Sequence, residues 1–527
     1  MNLYNYLCGN VPGGISLLIV FLVVGWFIIW FVYHYTSLMD RRHLYRWMFA
    51  VTLLSIFIYG ALWIFWKPPP RKKRIAIVPQ NGYSTGRVHW RDYAFQFLVY
   101  YNLIKQLPDQ QWFVYPPEGL YRVANQKIFS DSKAQIDFFK RLNCDYVVYF
   151  TIDSLHRQLN GQILVFPKAD LVFRFQFQFN SLTNAASKLS QQLCQQLHSL
   201  RTEQNTPAAV LDDDFWRTYT LGQFAFFKGD TLTSEKYFRR CCQRWPQAVW
   251  GYCALAHLYL RKAVAKKALG GDVNADLGEI AALLLQAKRL SPNLAWVYCL
   301  YGEYFIQREN WYQAERCLKQ CLQLNRNNAG CYLALSRLHP SRYRDLGFLH
   351  EEALLKYAIF LDPTCIAAYL WLADYYCQKN QLDDAISQYQ RLLALNPDNV
   401  NALIGLGKLY LQNRNFAQMQ MLFRHVLEIE PANTQALYNL GVGYYTQGEL
   451  DSAADYFTRA LKTPHVNPDA YLYLAYIHEK KGDLAQAVSF LRLRIHYSHG
   501  ANDSFCEEAR RHLVKLLQKH PELLNIK

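Results

Sequence analysis

The chain has 527 residues, of which 51% are apolar and 16% aromatic. This composition is typical of folded proteins and excludes an intrinsically disordered chain, and the length predicts about two to four folded units. Lys and Arg together exceed Asp and Glu by 16, which suits an anionic membrane surface, acidic partners or nucleic acid. No Arg/Lys stripe interleaved with aromatic residues stands out beyond residues 67–74, so we expect no nucleic-acid binding.

Two apolar stretches without a charged residue lie near the start of the chain, at residues 15–33 and 47–66. Each has about 20 residues, which is enough to cross a hydrocarbon core roughly 30 Å thick. Trp and Tyr stand at their ends, as they do at membrane interfaces, and neither stretch has a polar face. The sequence therefore predicts an N-terminal transmembrane hairpin and a lipid bilayer as a partner.

Basic residues flank the predicted spans on both sides. Arg41, Arg42 and Arg46 lie in the loop between the spans, and five others follow the second span. Because two spans place both termini on one side, the five favour a cytoplasmic location for the rest of the chain, and the loop arginines favour the opposite side. We expect the residues after the second span to meet anionic headgroups, and they are Lys67, Arg71, Lys72, Lys73 and Arg74.

The next segment alternates between strand and helix patterns. "RIAIVP" and "CDYVVYFTI" are typical of buried strands, and residues 171–179 alternate Leu or Phe with other side chains, at the period of a strand with one buried face. "RDYAFQFLVYYNLIKQL" has helical spacing. The predicted order is β-α-β-α-β-β-β-α, which makes a small α/β domain with a mixed sheet and helices packed on it.

This order resembles the TolB N-terminal-like domain, which precedes tetratricopeptide repeats in membrane-bound bacterial cyclases and regulators. The residues that carry the resemblance are "KRIAIVP" and "FFKRLNCDYVVYFTI", each followed by elements in the family's order. The sequence departs from the family at Gln80 and at Phe150-Thr151. The resemblance implies a binding or sensing module, brings no catalytic residues with it, and implies a bacterial inner-membrane protein.

From residue 213 onward the chain repeats itself about eight times. "LGQFAFF", "YGEYFI", "LADYYC", "LGKLYL" and "LGVGYY" superpose, and small residues and a terminal Pro recur around them. The pattern resembles the tetratricopeptide (TPR) signature of about 34 residues. It predicts an all-α superhelical solenoid, because no single repeat buries its apolar face and stacked neighbours do.

In such arrays the first helix of each repeat lines a concave groove, by resemblance to the family. Exposed aromatic residues there would suit the anchors of a partner peptide. The alternative is that these side chains belong to the core or pack against the α/β domain. The predicted groove residues are Trp216, Tyr219, Phe226, Trp250, His257, Trp296, Glu303, Lys408, Tyr438 and Tyr445.

No motif for catalysis, metal or cofactor binding is present. The phosphate-binding loop, the H-E-x-x-H zinc motif and the nucleophile-elbow motif are all missing, so we expect no enzyme. The 13 cysteines contain no C-x-x-C pair and are interpreted as small apolar core residues, which mildly favours a reducing compartment.

The sequence thus predicts a membrane-anchored scaffold or sensor that holds a protein partner. Alternatives are an assembly subunit of an envelope machine for secretion, pili or polysaccharide export, a small-ligand sensor that uses the α/β domain, and an enzyme with its site there. The predicted organisation is a tail at 1–14, two transmembrane helices within 15–66, a Pro/basic linker at 67–73, the α/β domain at 74–205, the repeats at 213–500 and a capping helix at 501–527.

Overall fold

The structure is a computed structural model, and it describes residues 73–79, 90–107, 112–117, 119–120, 132–153, 157–165, 170–196, 211–268, 270–464, 466–498 and 503–525. The predicted tail, both predicted spans and the residues Lys67, Arg71 and Lys72 lie outside this part of the chain. Among the described residues, no helix combines the length and the apolar character that crossing a membrane requires.

The α/β domain is built on a five-stranded mixed sheet in the order β2-β1-β3-β4-β5. Strand β1 pairs in parallel with β2 and β3, while β4 runs antiparallel to both β3 and β5. The prediction of a mixed sheet is confirmed. The elements are β1 (Lys73–Pro79), α1 (Trp90–Gln106), β2 (Trp112–Val114), α2 (Ser132–Arg141), β3 (Tyr146–Asp153), β4 (Gln158–Val165), β5 (Asp170–Gln178) and α3 (Leu182–Gln196).

The period-two pattern of β5 produces the expected one-sided burial. Phe175 is buried, whereas Arg174 and Gln176 are exposed on the other face. Alternate residues of a strand point to opposite faces, so the phenylalanines face the helices and the polar residues face outward.

The rest of the described chain is helical and forms successive antiparallel pairs, followed by a last helix. Each pair has the two-helix form of the predicted repeat. The helices are α4 (Asp213–Phe227), α5 (Thr231–Arg244), α6 (Val249–Ala268), α7 (Asn274–Leu290), α8 (Ala295–Gln307), α9 (Trp311–Leu324), α10 (Ala329–Ser336), α11 (Glu351–Leu361), α12 (Ile366–Gln378), α13 (Leu382–Leu395), α14 (Val400–Gln412), α15 (Phe416–Ile429), α16 (Thr434–Gln447), α17 (Leu450–Leu461), α18 (Asp469–Lys480), α19 (Leu484–His496) and α20 (Ser504–Lys519).

The small residues predicted at the helix crossings lie where the two helices of a pair meet. A Cβ added at Gly222 would come within 2.6 Å of the Phe238 ring, and one added at Gly441 would come within 2.8 Å of the Phe457 ring. Real Cβ atoms do not approach other atoms so closely, so any larger residue would push the two helices apart.

The chain divides into two compact units, Met1–Cys365 and Ile366–Lys527. The first unit holds the described sheet and the pairs from α4 to α11. Its core runs without a break from sheet residues such as Ile75 and Phe150 to repeat residues such as Trp216 and Tyr304. The second unit holds the pairs from α12 to α19 and the last helix, α20, which packs on α19.

The cysteines are mostly unpaired and buried, with one exception. Ten described cysteines are free, and Cys321 is joined to Cys331 by a disulfide. The interpretation of all cysteines as unpaired core residues is therefore wrong at this pair. A ten-residue spacing carries no disulfide signature in sequence, because the turn between α9 and α10 decides whether the two sulfurs meet.

The turns inside four successive pairs of the second unit share one backbone conformation. Asn380, Arg414, Gly448 and Gly482 follow one another at 34-residue intervals, and their φ values are +58°, +56°, +85° and +82°. The left-handed region costs a residue with a Cβ roughly 1–2 kcal/mol, whereas glycine enters it freely.

We expect Arg414→Gly to raise the free energy of unfolding by about 0.5–1 kcal/mol, because relief of the left-handed strain exceeds the added chain entropy. The matched change Gly448→Ala at the equivalent position should lower it by about 1 kcal/mol. Thermal unfolding of both full-length variants measures the effect. A lower melting temperature for Arg414→Gly would contradict this account.

Candidate partner-binding surface

The predicted groove residues lie on the first helices of their pairs. In the first unit, Trp216, Tyr219 and Phe226 lie on α4, Trp250 and His257 on α6, and Trp296 and Glu303 on α8; in the second unit, Lys408 lies on α14, and Tyr438 and Tyr445 on α16. The two units place these side chains in different environments, so each set is described separately.

Helix α1 of the α/β domain covers the aromatic surface of α4 and α6. The Phe97 ring lies 5.8 Å from Trp216, 5.9 Å from Tyr219 and 5.2 Å from Trp250, and Tyr101 lies 4.8 Å from Trp250, all between centroids. Trp216 and Tyr219 are each 2% exposed and Trp250 is 7% exposed. The α/β domain of the same chain therefore occupies this part of the predicted groove.

The same helix makes a second contact one turn earlier. Tyr93 is buried, and its ring lies 5.3 Å from Phe224 and 6.0 Å from Phe227, both at an edge-to-face angle. Such pairs add about 0.5–1.5 kcal/mol each beyond the burial of their area. Tyr93, Phe97 and Tyr101 are spaced by four residues, so they form one stripe along α1 that faces the repeats.

Arg74 ties the sheet to the end of α11. Its guanidinium donates to the carbonyl of Phe360 at 2.9 Å, to the carbonyl of Leu142 at 3.2 Å and to the Tyr115 hydroxyl at 3.3 Å. Its backbone N–H donates to the Asp145 carboxylate at 2.7 Å.

Arg74 is only 8% exposed, so the prediction that it lies at the membrane surface is wrong. Its guanidinium forms hydrogen bonds inside the first unit instead. The local sequence of β1 could not reveal this, because the partners come from residues 41 to 286 positions away. Lys73 is exposed at the start of β1, and its membrane-surface role stays a prediction.

The chain after β2 also packs closely on the fourth helical pair. A Cβ added at Gly119 would lie 1.9 Å from Thr364 Oγ1, and Thr364 is buried. Within the first unit, the α/β domain thus contacts the row of helical pairs at two places, through α1 on α4 and α6 and through Arg74 and Gly119 near the end of α11.

The other predicted residues of the first unit keep part of their surface. The ring centroids of Phe226 and His257 are 5.2 Å apart, and those of Trp296 and Trp250 are 6.1 Å apart. Phe226, His257, Trp296 and Glu303 are all partly exposed. A separate cleft of about 340 Å³ lies near the ends of α6 and α8, and it is lined by Val264, Lys267, Ala268, Ile306, Gln307, Glu309, Trp311 and Arg337.

In the second unit, the predicted residues belong to a partly exposed aromatic surface. The Tyr473 ring on α18 lies 5.9 Å from Tyr438 and 5.4 Å from Tyr445, and Tyr476 lies 6.4 Å from Tyr473. We call these four residues the tyrosine cluster. Partial burial raises the pKa of Tyr438 and of Tyr473 above the ordinary value of a tyrosine.

Charged side chains border the tyrosine cluster. Lys480 Nζ lies 4.3 Å from the centre of the Tyr445 ring, and the Tyr476 hydroxyl donates to Glu508 at 2.6 Å. Lys408 is exposed on α14. The surface therefore offers aromatic faces, hydroxyls and ammonium groups together, a combination that suits polypeptide binding.

The sequence prediction missed Tyr473 and Tyr476, although a signal for Tyr476 was present. By resemblance to the family, positions 2, 5, 9 and 12 of each repeat face the groove, and Tyr438 and Tyr445 hold positions 5 and 12. Val442 then holds position 9, and Tyr476 follows it by one 34-residue period. Tyr473 follows Asn439 by the same interval, at a position that the groove pattern does not include.

The Trp250→Ala variant should destabilise the first unit. The indole is buried between α1 and the repeats, and truncation of such a residue costs about 3–5 kcal/mol. The matched control is Trp311→Ala, where the side chain is 39% exposed and the expected loss is about 1 kcal/mol or less. Chemical denaturation of the full-length variants measures both. Equal effects of the two changes would show that α1 does not bury Trp250.

Comparison with known families places repeats in the second unit. Tetratricopeptide-repeat family models match residues 373–413, 400–433, 420–465 and 438–495. None of the curated protein sequences compared with this chain matches it.

Several solved structures are similar to the chain. The APC/C hetero-tetramer Cut9-Hcn1 has a TM-score of 0.41 and 14% identity over 57% of this chain, and the match spans 56% of that chain. PilF of Pseudomonas aeruginosa has a TM-score of 0.34 and 17% identity, with 41% of this chain and 97% of that chain covered. YrrB, described as a TPR protein with an unusual peptide-binding site, has a TM-score of 0.30 and 18% identity, with 38% of this chain and 100% of that chain covered.

The family matches and the helical pairs together identify this protein as one that contains tetratricopeptide repeats.

Proposed function

We propose that the protein is a membrane-anchored scaffold of the bacterial cell envelope that binds a protein partner on its second compact unit. The observation that carries this proposal is the contrast between the two aromatic surfaces. In the first unit, α1 buries Trp216, Tyr219 and Trp250, whereas the tyrosine cluster of the second unit keeps part of its surface open. Tetratricopeptide repeats act by holding polypeptides on such surfaces, so the function needs no chemical step and no cofactor.

Anchoring is proposed from the two uncharged stretches at residues 15–33 and 47–66. We place the folded part on the cytoplasmic side of the inner membrane, which the basic residues after the second stretch favour. The ten free cysteines among the described residues also suit a reducing compartment. A membrane tether restricts the search for a partner to the bilayer plane and raises the effective concentration of neighbouring complexes.

A photo-crosslinking amino acid at Tyr445 or Lys408 should capture the partner in cells. The same amino acid at Met421, which is 58% exposed on α15, a second helix of its pair, is the matched control and should capture nothing specific. Tyr445→Ala should weaken partner binding about tenfold or more, as is usual for an aromatic anchor. Capture from Met421 alone, or wild-type binding by Tyr445→Ala, would refute the binding surface.

The anchoring and its sidedness have a separate test. A cysteine introduced at Asp455, whose side chain is 65% exposed, is placed in an otherwise cysteine-depleted full chain. It should resist a membrane-impermeant maleimide in intact cells and react after permeabilisation, and the protein should stay in the membrane pellet at alkaline pH. Labelling in intact cells would place the second unit outside the cytoplasm, and release into the supernatant would exclude the transmembrane hairpin.

A further inference from the structure

Three cysteines from three successive helices meet in the core of the first unit. Cys299 lies on α8, Cys321 on α9 and Cys331 on α10, and their sulfur atoms all lie within 4.8 Å of one another. They are 6%, 0% and 0% exposed. We call them the cysteine cluster.

The stacking of the repeats creates this cluster. Helices α8 and α9 form one pair, and α10 opens the next pair and packs against both. Cys321 lies in the last turn of α9 and Cys331 in the first turn of α10, so the short turn between them brings the two sulfurs together. Cys299 reaches them from α8, which approaches α9 so closely that a Cβ at Gly302 would lie 2.4 Å from Leu318.

The three sulfurs are not equivalent. Cys321 and Cys331 form the disulfide, and Cys299 keeps a free thiol beside it. Other described cysteines, such as Cys253 on α6, are buried and free but belong to no such group of metal-ligand side chains. The cluster therefore differs from the other described cysteines because three sulfur atoms lie within 4.8 Å of one another.

We propose that reduction of the Cys321–Cys331 disulfide converts the cysteine cluster into a binding site for a thiophilic metal ion. A metal–sulfur bond of about 2.3 Å places the sulfurs of one ion about 4 Å apart, and the three sulfurs of the cluster lie within 4.8 Å of one another. Thiolates select soft ions such as Cu(I), and they also bind Zn(II). The proposal departs from the sequence prediction that the chain has no metal site.

Formation of the metal site requires two steps, reduction of the disulfide and binding of the ion. A dithiol reductant gives two electrons and two protons to the disulfide and becomes a disulfide itself, which leaves three protein thiols. The ion then binds the sulfurs and displaces their protons into solvent. Oxidation of Cys321 and Cys331 by a disulfide oxidant such as oxidised glutathione returns both to the bonded form and releases the ion.

The test uses the full-length protein in detergent, which is reduced with a phosphine and freed of metal. The protein is then titrated under nitrogen with Cu(I) or Zn(II) in the presence of a competing chelator, and the bound ion is measured. We expect one tightly held ion for each reduced chain and none for the oxidised chain. Cys299→Ala should weaken binding at least tenfold, because one of three ligands is lost, whereas the control Cys253→Ala should leave it unchanged. Comparison of the two ions shows which one the site prefers.

A second readout keeps the test valid if Cys299→Ala folds poorly. The preferred ion should raise the melting temperature of the reduced wild type and of Cys253→Ala, and should raise that of Cys331→Ala by less, because one of the three ligands is missing. Absence of a bound ion in the reduced protein, equal binding by the oxidised protein, or full affinity in both Cys299→Ala and Cys331→Ala would overturn the proposal.

Discussion

The packing of α1 on α4 and α6 is the interaction on which the organisation of the first unit depends. Phe97 and Tyr101 insert between aromatic rings of two successive repeats, and the core of the sheet continues into the core of the repeats. Burial of large aromatic side chains is the strongest apolar contribution that a core can have. The α/β domain and the first repeats are therefore one compact unit, although the sequence divides them into two domains.

The packing of α1 on the repeats also decides which aromatic surface a protein partner can reach. A groove side chain contributes to partner binding only if a partner can displace water from it, and α1 has already displaced that water around Trp250. Arg74 reinforces the arrangement because its buried guanidinium depends on the Phe360 carbonyl of α11, so release of the α/β domain would leave a buried charge with fewer partners. The α/β domain is therefore an integral part of the first unit, and the surface that we propose for a partner lies on the second.

The repeat period, the sheet order and the one-sided burial of β5 could be predicted from the sequence, because each depends on residues close together in the chain. Gly222 and Gly441 could be assigned to helix crossings for the same reason. Coverage of Trp250 could not be predicted, because an aromatic residue on a first helix has the same pattern whether a partner or the chain itself covers it. Arg74 and the Cys321–Cys331 disulfide also depend on tertiary contacts that no local spacing encodes.

The charge distribution along the chain supports the division of roles between the two units. Residues 366–527 contain as many acidic as basic side chains, so the whole basic excess of 16 lies in residues 1–365. A basic excess favours contact with anionic surfaces, and it lies in the unit that contains the proposed membrane hairpin. The second unit is neutral, so the partner that we propose for it would gain little from long-range attraction. Its recognition would depend on short-range contacts with aromatic faces and hydroxyls, which are the groups that the tyrosine cluster presents.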